Sequence, residues 1–465
     1  MITRDAMHSL WAIARNTLSQ AIRMKAAVVV VVLLVVLLPL MSVTMEGDGT
    51  LLGKLQTFVS YGLGLVSLLL CVLTIAISTF TLSNDLKRKH LYLVVTKPVR
   101  RHQIVAGKLL GILLLNIALL SVFGAIIYGL TLTMPGMIDA DPAQRERAQA
   151  EFFTARSGLK VTYDEAELIK RAEQRFTDLR AADQLPRDME QAQVLRELLA
   201  QERMVVKSCP SGRTKRWDFD GVRFKNPDDP DATIFVRYKL ETAGVQPNDQ
   251  VYGVWKIGDL RQLDAGVGQV KTPIYDALQD ATVRTFHEFS VPADAVAEDG
   301  FLGVAFFNNP SLNNTTVILD DVEVLFHSGT FSTNYLRALV MIYIRLTFLA
   351  ALGVSLTTWL SFPVAILVCL VAFFAGTASG FIAESIDGLG TTIGLVYHLT
   401  LRPLLWMIPQ FDGDHNPTTY IINGRLIEWP FLSLAILVTI FVKAAVVLLL
   451  GMWIFRRREI AKAVV

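Results

Sequence analysis

Residues 26–44 read AAVVVVVLLVVLLPLMSVT, nineteen residues without a charge. A helix needs about 20 apolar residues to cross the roughly 30 Å of hydrocarbon in a bilayer. Two further charge-free runs follow at residues 55–84 and 109–138, and a longer one covers residues 346–383. The fold that these runs predict is that of an α-helical membrane protein.

The run at 346–383 is too long for one span, and Ser361-Phe362-Pro363 interrupts it. It predicts a fourth span that ends near Leu360 and a fifth from about Val364 to Ile382. A sixth covers Pro430 to Phe455, which makes six transmembrane helices. A cleaved signal peptide is the alternative for residues 1–45, but LPLMSVTMEGDG lacks a small-x-small cleavage pattern.

Composition and charge agree with a membrane protein. Only 18% of the residues are charged, against about 25% in soluble proteins, and the mean hydropathy is +0.43. Residues 139–336 hold 23 basic and 32 acidic side chains although the whole chain carries +2, so the apolar parts are basic. An ordinary cytosolic enzyme is excluded, and no nucleic-acid partner is predicted.

The short loops predict the orientation, because lysine and arginine are retained on the cytoplasmic side. Fifteen basic residues lie in segments 1–25, 85–108 and 456–465, whereas the segments 45–54 and 384–428 hold three. Both termini are therefore expected in the cytoplasm. Residues 139–335 are expected outside a bacterial cytoplasmic (inner) membrane.

The chain thus divides into four predicted parts: an N-terminal membrane half (1–138), an extracytoplasmic helical stalk (139–207), a β-sandwich (208–330) and a C-terminal membrane half (331–465). Apolar residues recur at three- and four-residue steps in the stalk. In the following part, Val236, Tyr238 and Leu240 alternate with charged residues, and clusters such as NPDDPD separate about seven short strands. This pattern predicts an inserted α+β domain with an antiparallel β-sandwich of jelly-roll type.

The sandwich offers two sets of candidate binding residues. Trp217 and Trp255 are possible ligand-binding side chains that would stack on a sugar ring, or alternatively core residues. The acids Asp218, Asp220, Asp228, Asp229, Asp231, Asp320 and Asp321 provide oxygen ligands of the kind calcium prefers, or alternatively lie in solvated turns. We predict no metal site and no bound cofactor. The seven histidines include no HxxxH or HExxH pair and no GxSxG motif is present, so no catalytic residue is predicted.

The loop at 84–104, with the start of the following span, reads NDLKRKHLYLVVTKPVRRHQIVAGKLLG over residues 84–111. Its seven basic residues interleave with apolar ones, a pattern typical of an amphipathic segment at a membrane surface. A simple electrostatic topology anchor is the alternative. AGKLLG has neither the glycine spacing nor the hydroxyl of a phosphate-binding loop.

Four motifs carry a resemblance to a known family. They are TKPVRRHQ at 96–103 followed by Gly107-Lys108, the N-terminal residues 14–23, the basic end IFRRREI at 454–460 and LLWMIPQFD at 404–412. These motifs resemble those of type-2 ABC transporter permeases of the multicopper-enzyme-maturation or gliding type. The resemblance implies an interfacial N-terminal helix, a coupling loop and an outer-leaflet helix at 391–409.

The resemblance also implies a function. The chain would be a non-catalytic permease subunit of an ABC transporter, and a separate cytoplasmic ATPase that binds ATP and Mg would drive export or movement of the outside domain. The implied ATPase-coupling residues are Asp85, Leu86, Lys87, Lys97, Pro98 and Arg101. A second copy or a sister permease would complete a dimer, with membrane lipid around it. The acidic residues usual at the start of the loop are reduced to Asp85, and the inserted domain is unusual for the family.

Three polar residues fall inside predicted spans. Lys443 lies in the middle of the sixth span, where a charge is costly, so it either pairs with Glu384 or Asp387 or reaches a carbonyl or water. Arg345 is expected to snorkel near the outer end of the fourth span. Asn116 is expected to bond across helices.

A second functional class remains open at this point. The chain would then be a membrane-anchored binding protein whose sandwich recognises a glycan or an envelope protein, without an ATPase. Association with an ATPase distinguishes the two classes.

Overall fold

A computed structural model describes residues 2–87, 100–138, 140–185, 191–224, 232–244, 249–264, 272–382, 400 and 402–457. The chain forms two compact units. One, the membrane unit, comprises Met1–Thr154 and Thr330–Val465, and the other, the outer unit, comprises Ala155–Gly329.

The described helices range from four to 37 residues in length. They are α1 (Ile2–Ile22), α2 (Lys25–Thr44), α3 (Leu51–Lys87), α4 (Arg101–Met137), α5 (Pro142–Glu151), α6 (Glu165–Ala181), α7 (Gln191–Lys207), α8 (Arg261–Asp264), α9 (Phe331–Leu356), α10 (Phe362–Thr377), α11 (Arg402–Met407), α12 (Pro417–Ile422) and α13 (Trp429–Arg457, with a π-helical segment at Leu437–Ala444).

Nine strands are described. They are β1 (Thr154–Lys160), β2 (Ser208–Cys209), β3 (Thr214–Phe219), β4 (Thr233–Thr242), β5 (Gln250–Gly258), β6 (Tyr275–Thr282), β7 (Phe286–Pro292), β8 (Leu302–Asn308) and β9 (Val317–Thr330).

Five described helices, α2, α3, α4, α9 and α13, are long and apolar enough to cross a membrane. The chain is therefore a multi-pass membrane protein, and the first three predicted spans coincide with α2, α3 and α4. Helix α10 is a shorter apolar helix of 16 residues. The count of six spans stays a prediction.

Helix α9 is the most buried of these helices and packs against α3, α4 and α13. Small residues allow the close approach. A Cβ on Gly353 would lie 2.0 Å from Ser78 Oγ of α3, and one on Gly451 of α13 would lie 2.1 Å from Ser355 Oγ of α9. Such small-residue contacts are the usual basis of helix association in lipid.

Helix α9, which corresponds to the fourth predicted span, begins at Phe331, fifteen residues before the charge-free run that starts at Leu346. Arg337 and Arg345 lie in this additional part of the helix. Both arginines are accommodated inside the helical bundle because their guanidinium groups donate to backbone carbonyls of Ile427 and Phe411. A charge that finds such acceptors does not end a span.

The outer unit contains two sheets whose described strand pairs are antiparallel. The first has the order β1-β9-β4-β7 with β2 also paired to β9, and the second has the order β3-β8-β5-β6. One apolar core lies between them, with Tyr238 and Phe289 from the first sheet and Trp255 and Phe306 from the second. The β-rich region is thus separate from the membrane helices, as predicted.

One expectation for the outer unit needs correction, and one pair of alternatives is decided. Residues 139–207 are not uniformly helical, because strand β1 lies among their helices and joins the first sheet. Trp217 and Trp255 are 6% and 1% exposed, with ring centroids 6.4 Å apart inside the core. Their rings are therefore core residues and not a platform for a sugar in solution.

Candidate functional site

The predicted coupling residues flank the loop between α3 and α4. Asp85 lies in the last turn of α3, and Arg101 is the first residue of α4. The side chains of Leu86 and Lys87 and the whole of Lys97 and Pro98 lie outside the described residues. Each of these two helices has 37 residues, about 55 Å, so both extend beyond a hydrocarbon layer of about 30 Å.

A buried ion pair joins the two helices at the base of this loop. Lys108 Nζ lies 2.5 Å from Asp85 Oδ2, and the two side chains are 3% and 13% exposed. The same ammonium donates to the Thr81 carbonyl at 3.1 Å. Asp85 is thus turned into the membrane unit, and Lys108, which the sequence analysis did not select, holds it there.

An adjacent face of α4 packs closely on α1. A Cβ on Gly107 would lie 2.8 Å from Ile13 Cβ, and one on Gly111 would lie 2.5 Å from the Ala14 carbonyl oxygen. The Gly-x-x-x-Gly spacing at 107–111 brings both glycines to one helix face. Only glycine permits this contact, since larger residues would push α1 away.

Arg101 connects the start of α4 with the end of α13. Its Nη1 donates to the carbonyls of Phe455 and Arg456 at 3.2 and 3.1 Å. The last carbonyls of a helix have no intrahelical donor, and a cation there also complements the helix dipole. The backbone N–H of Arg100 donates to Gln103 Oε1 at 2.9 Å, which caps the first turn of α4.

The first three turns of α4 therefore contact three other helices. The ion pair ties them to α3, the glycine face to α1, and Arg101 to α13. We call this set of contacts the loop root. A displacement of the preceding loop would move α4 together with these helices, because the ion pair to α3 is buried and the glycine contacts with α1 leave no space between the helices.

A second polar cluster lies in the middle of the membrane unit, around the non-helical segment 408–412. Arg345 Nη2 donates to the Phe411 carbonyl at 2.8 Å, and its Nη1 donates to Ser67 Oγ at 3.2 Å. Lys443 Nζ donates to the Ile408 carbonyl at 3.2 Å. Non-helical backbone at this depth requires such internal donors.

The end of α10 holds the same segment from another side. Asp412 accepts hydrogen bonds from the Gly380 backbone N–H at 2.7 Å and from Ser379 Oγ at 3.2 Å. The Phe411 N–H donates to the Gly376 carbonyl at 2.8 Å. A cavity of about 270 Å³ adjoins the segment and is lined mainly by polar residues, including Arg345, Asp412 and Ser67.

These contacts decide between the alternatives left open for the intramembrane residues. Lys443 reaches a carbonyl, and Glu384 and Asp387 lie outside the described residues. The expectation that Arg345 snorkels near the outer end of a span is wrong, since it is the fifteenth residue of α9 and bonds within the bundle. Asn116 Oδ1 accepts from Thr74 Oγ1 at 3.0 Å, the bond across α3 and α4 that was expected.

In the outer unit, no group of three or more His, Cys, Asp or Glu residues could hold a metal ion among the described residues. Asp320 instead pairs with Lys207 Nζ at 2.9 Å and Lys239 Nζ at 3.2 Å. Hydrogen bonds from Lys207 and then Lys239 hold the pKa of the Asp320 carboxyl below its usual value. The pair fastens the end of α7 to strand β9.

This pKa shift predicts a pH dependence. The unfolded carboxyl titrates near pH 4, so the pair stabilises the outer unit fully above that pH and is lost as the pH falls through the lower folded pKa. The intact wild-type protein should lose protease resistance as the pH falls below about 4. We expect this loss to be smaller in Asp320→Asn, which lacks the titrating carboxyl. The exposed Asp280→Asn is the matched control. An acid-induced loss that is the same in all three proteins contradicts the prediction.

Residues 11–143 match the family model described as ABC-2 family transporter protein. The matched segment contains α2, α3 and α4, most of α1 and the loop between α3 and α4. It therefore covers most of the loop root, and it supports the resemblance to type-2 ABC permeases that the loop predicts. No curated protein and no solved structure matches the chain.

Proposed function

Because residues 11–143 are similar to ABC-2 family transporter proteins, we propose that the chain is a permease subunit of an ABC transporter driven by a separate cytoplasmic ATPase. The observation that carries the proposal is the loop root. An amphipathic loop is followed at once by a helix that contacts α1, α3 and α13, so a push on the loop reaches both halves of the membrane unit.

In this proposal the ATPase binds the loop through the predicted residues Leu86, Lys87, Lys97 and Pro98. ATP and Mg belong to the ATPase, and the permease itself catalyses nothing. Asp85 and Arg101 act from within the membrane unit, where they hold α4 against α3 and α13. Closure of the ATPase dimer would then shift α4 and its neighbours as a rigid body.

The segment 408–412 is the part of the membrane unit that would respond to such a shift. Its carbonyls are bound by Arg345 of α9 and Lys443 of α13, two helices that the loop root reaches directly or through packing. A relative shift of α9 and α13 would release one of these bonds and alter the adjoining polar cavity. This geometry favours a gate for export or a lever that moves the outer unit.

The location, the topology and the assembly of the protein are inferred from its sequence patterns. We infer a bacterial cytoplasmic (inner) membrane, six spans, cytoplasmic termini and an extracytoplasmic jelly roll at 208–330 that binds an envelope protein or glycan. A second copy or a sister permease completes the dimer. Membrane lipid surrounds both.

Affinity purification in mild detergent followed by mass spectrometry tests the proposal. We expect an ABC ATPase to copurify with the wild type and to be reduced at least tenfold with Leu86→Asp/Pro98→Ala, because a charge replaces an apolar contact and the chain direction changes. Leu278→Asp is the matched control, since Leu278 is 70% exposed on the outer unit.

The outcomes separate the two functional classes. Copurification with the wild type and the control, and loss with the loop variant, supports a permease and locates the ATPase contact. Absence of an ATPase from all three well-expressed proteins favours the alternative, a membrane-anchored binding protein without an ATPase.

A further inference from the structure

A groove of about 580 Å³ lies where three membrane helices end or begin. The start of α3, the end of α4 and the start of α9 form its base, and α5 covers one side. Its size is within the range of pockets that take small organic ligands, about 300–1,000 Å³. The groove lies at the end of the membrane unit opposite the loop root, since it is lined by the start of α3 and the end of α4.

The walls of the groove are mostly apolar. Leu51, Pro135, Phe153 and Phe331 contribute to them, together with Leu132. Leu132 is 48% exposed and its neighbour Met137 is 76% exposed at the end of α4. Exposed apolar side chains at the end of a spanning helix face lipid, so the groove is open towards the acyl chains of the bilayer.

One arginine stands at the rim of this groove. Arg145 of α5 lines it and makes no ion pair among the residues that the structure describes. Arg147, two residues further on the same helix, is paired with Glu151 at 2.7 Å. The rim therefore presents a positive charge next to the apolar groove. This combination is complementary to an anionic amphiphile, which has a negative headgroup and an apolar chain.

We propose that this groove binds a phospholipid of the adjacent leaflet, with an acyl chain between α4 and α5 and an anionic headgroup phosphate at Arg145. The leaflet is the outer one if the orientation proposed above is correct. A lipid held there would fix the end of α4 to α5, the last element before the outer unit begins at Ala155.

The glycines of α4 provide a matched pair of variants. A Cβ at Gly136, which lines the groove, meets nothing within 4 Å, and the same is true at Gly129, which is exposed on α4 outside the groove. Gly136→Phe would place a phenyl ring at the groove, from a position where the added Cβ makes no clash. Gly129→Phe adds the same side chain to the same helix elsewhere.

Native mass spectrometry of the intact protein released from nanodiscs of equal phosphatidylglycerol and phosphatidylcholine tests the proposal. We expect the wild type and Gly129→Phe to retain phosphatidylglycerol, and Gly136→Phe to lose it. Arg145→Gln should reduce the preference for phosphatidylglycerol about fivefold, since one basic residue near a membrane surface contributes about that factor. Arg147→Gln should not.

Several outcomes would overturn the proposal: no retained lipid in the wild type, equal retention by both phenylalanine variants, or the same headgroup preference in both arginine variants. A protein segment recovered in the groove by crosslinking would overturn it as well. Copurification of the ATPase, measured on the same samples, reports separately on the proposed function.

Discussion

Lys108→Met is expected to lower the free energy of unfolding of the membrane unit by about 3–5 kcal/mol, because it leaves the Asp85 carboxylate buried without its cation. Asp85 is 13% exposed, and the Thr81 carbonyl loses its donor at the same time. The measurement is an SDS titration of the protein in mixed micelles, followed by the change in helical circular dichroism.

The double variant Asp85→Asn/Lys108→Met is the matched control. Replacement of both members of a buried pair is often nearly neutral, so the double variant should recover most of the stability lost in Lys108→Met. If the two variants are equally unstable, the loss comes from the packing of the lysine stem and the ion pair contributes little.

Lys108→Met also bears on the transmission of movement. In the proposed mechanism the ATPase binds the loop, and the ion pair carries the movement of α4 to α3. We therefore expect Lys108→Met to retain the ATPase on purification, whereas Leu86→Asp/Pro98→Ala loses it. This difference would distinguish a positioning role at the loop root from direct contact with the partner.

The sequence predicts those parts of the fold that depend on local composition. Uninterrupted apolar runs identify α2, α3 and α4, since nothing but a span buries twenty such residues. The alternation at Val236 to Leu240 likewise identifies a half-buried strand, and β4 lies there. These patterns need no knowledge of what the segment packs against.

The predictions that failed depend on distant partners. Arg345 was expected to snorkel, and the prediction failed because its acceptor, the Phe411 carbonyl, lies 66 residues further along the chain. Strand β1 was missed because its pairing partner is β9. Trp217 and Trp255 were left open between a possible ligand platform and the core, and only the pairing of both sheets decides for the core.

The loop root was predicted in position but not in its contacts. Asp85 and Arg101 were predicted as contacts for a partner, and in the structure both side chains bind within the membrane unit. Two signals in the sequence pointed to these contacts. Lys108 is an opposite charge at the start of an apolar run, and Gly107-x-x-x-Gly111 is a spacing typical of close helix packing.

The loop root and the polar cluster around segment 408–412 are linked through α9. Helix α9 packs on α3 and α13, two of the three helices that contact α4 at the loop root, and it carries Arg345 to the segment 408–412. Arg345 also lies over the Phe411 ring, 4.8 Å from the centroid. Its position therefore determines how firmly that segment closes the adjoining cavity.

Arg345→Met is expected to loosen the segment 408–412, because the Phe411 carbonyl loses a charge-assisted hydrogen bond of about 1.5–3 kcal/mol and the ring loses its cation. Local opening should become roughly ten- to a hundredfold more frequent, at 1.4 kcal/mol per factor of ten. Hydrogen exchange of a peptide that covers residues 405–416 measures this, since the Phe411 N–H is bonded to the Gly376 carbonyl.

Arg337→Met on the same helix is the matched control. Arg337 donates to the Ile427 carbonyl at 2.7 Å and lies 4.7 Å from the Trp429 ring centroid, so its loss should speed exchange around residues 425–429 and leave 405–416 unchanged. Equal acceleration of both peptides in both variants would mean that α9 loosens as a whole. If exchange is faster only at 405–416 in Arg345→Met, this arginine holds the segment closed. An ATPase at the loop root would then open the segment by changing the position of α9 relative to α13.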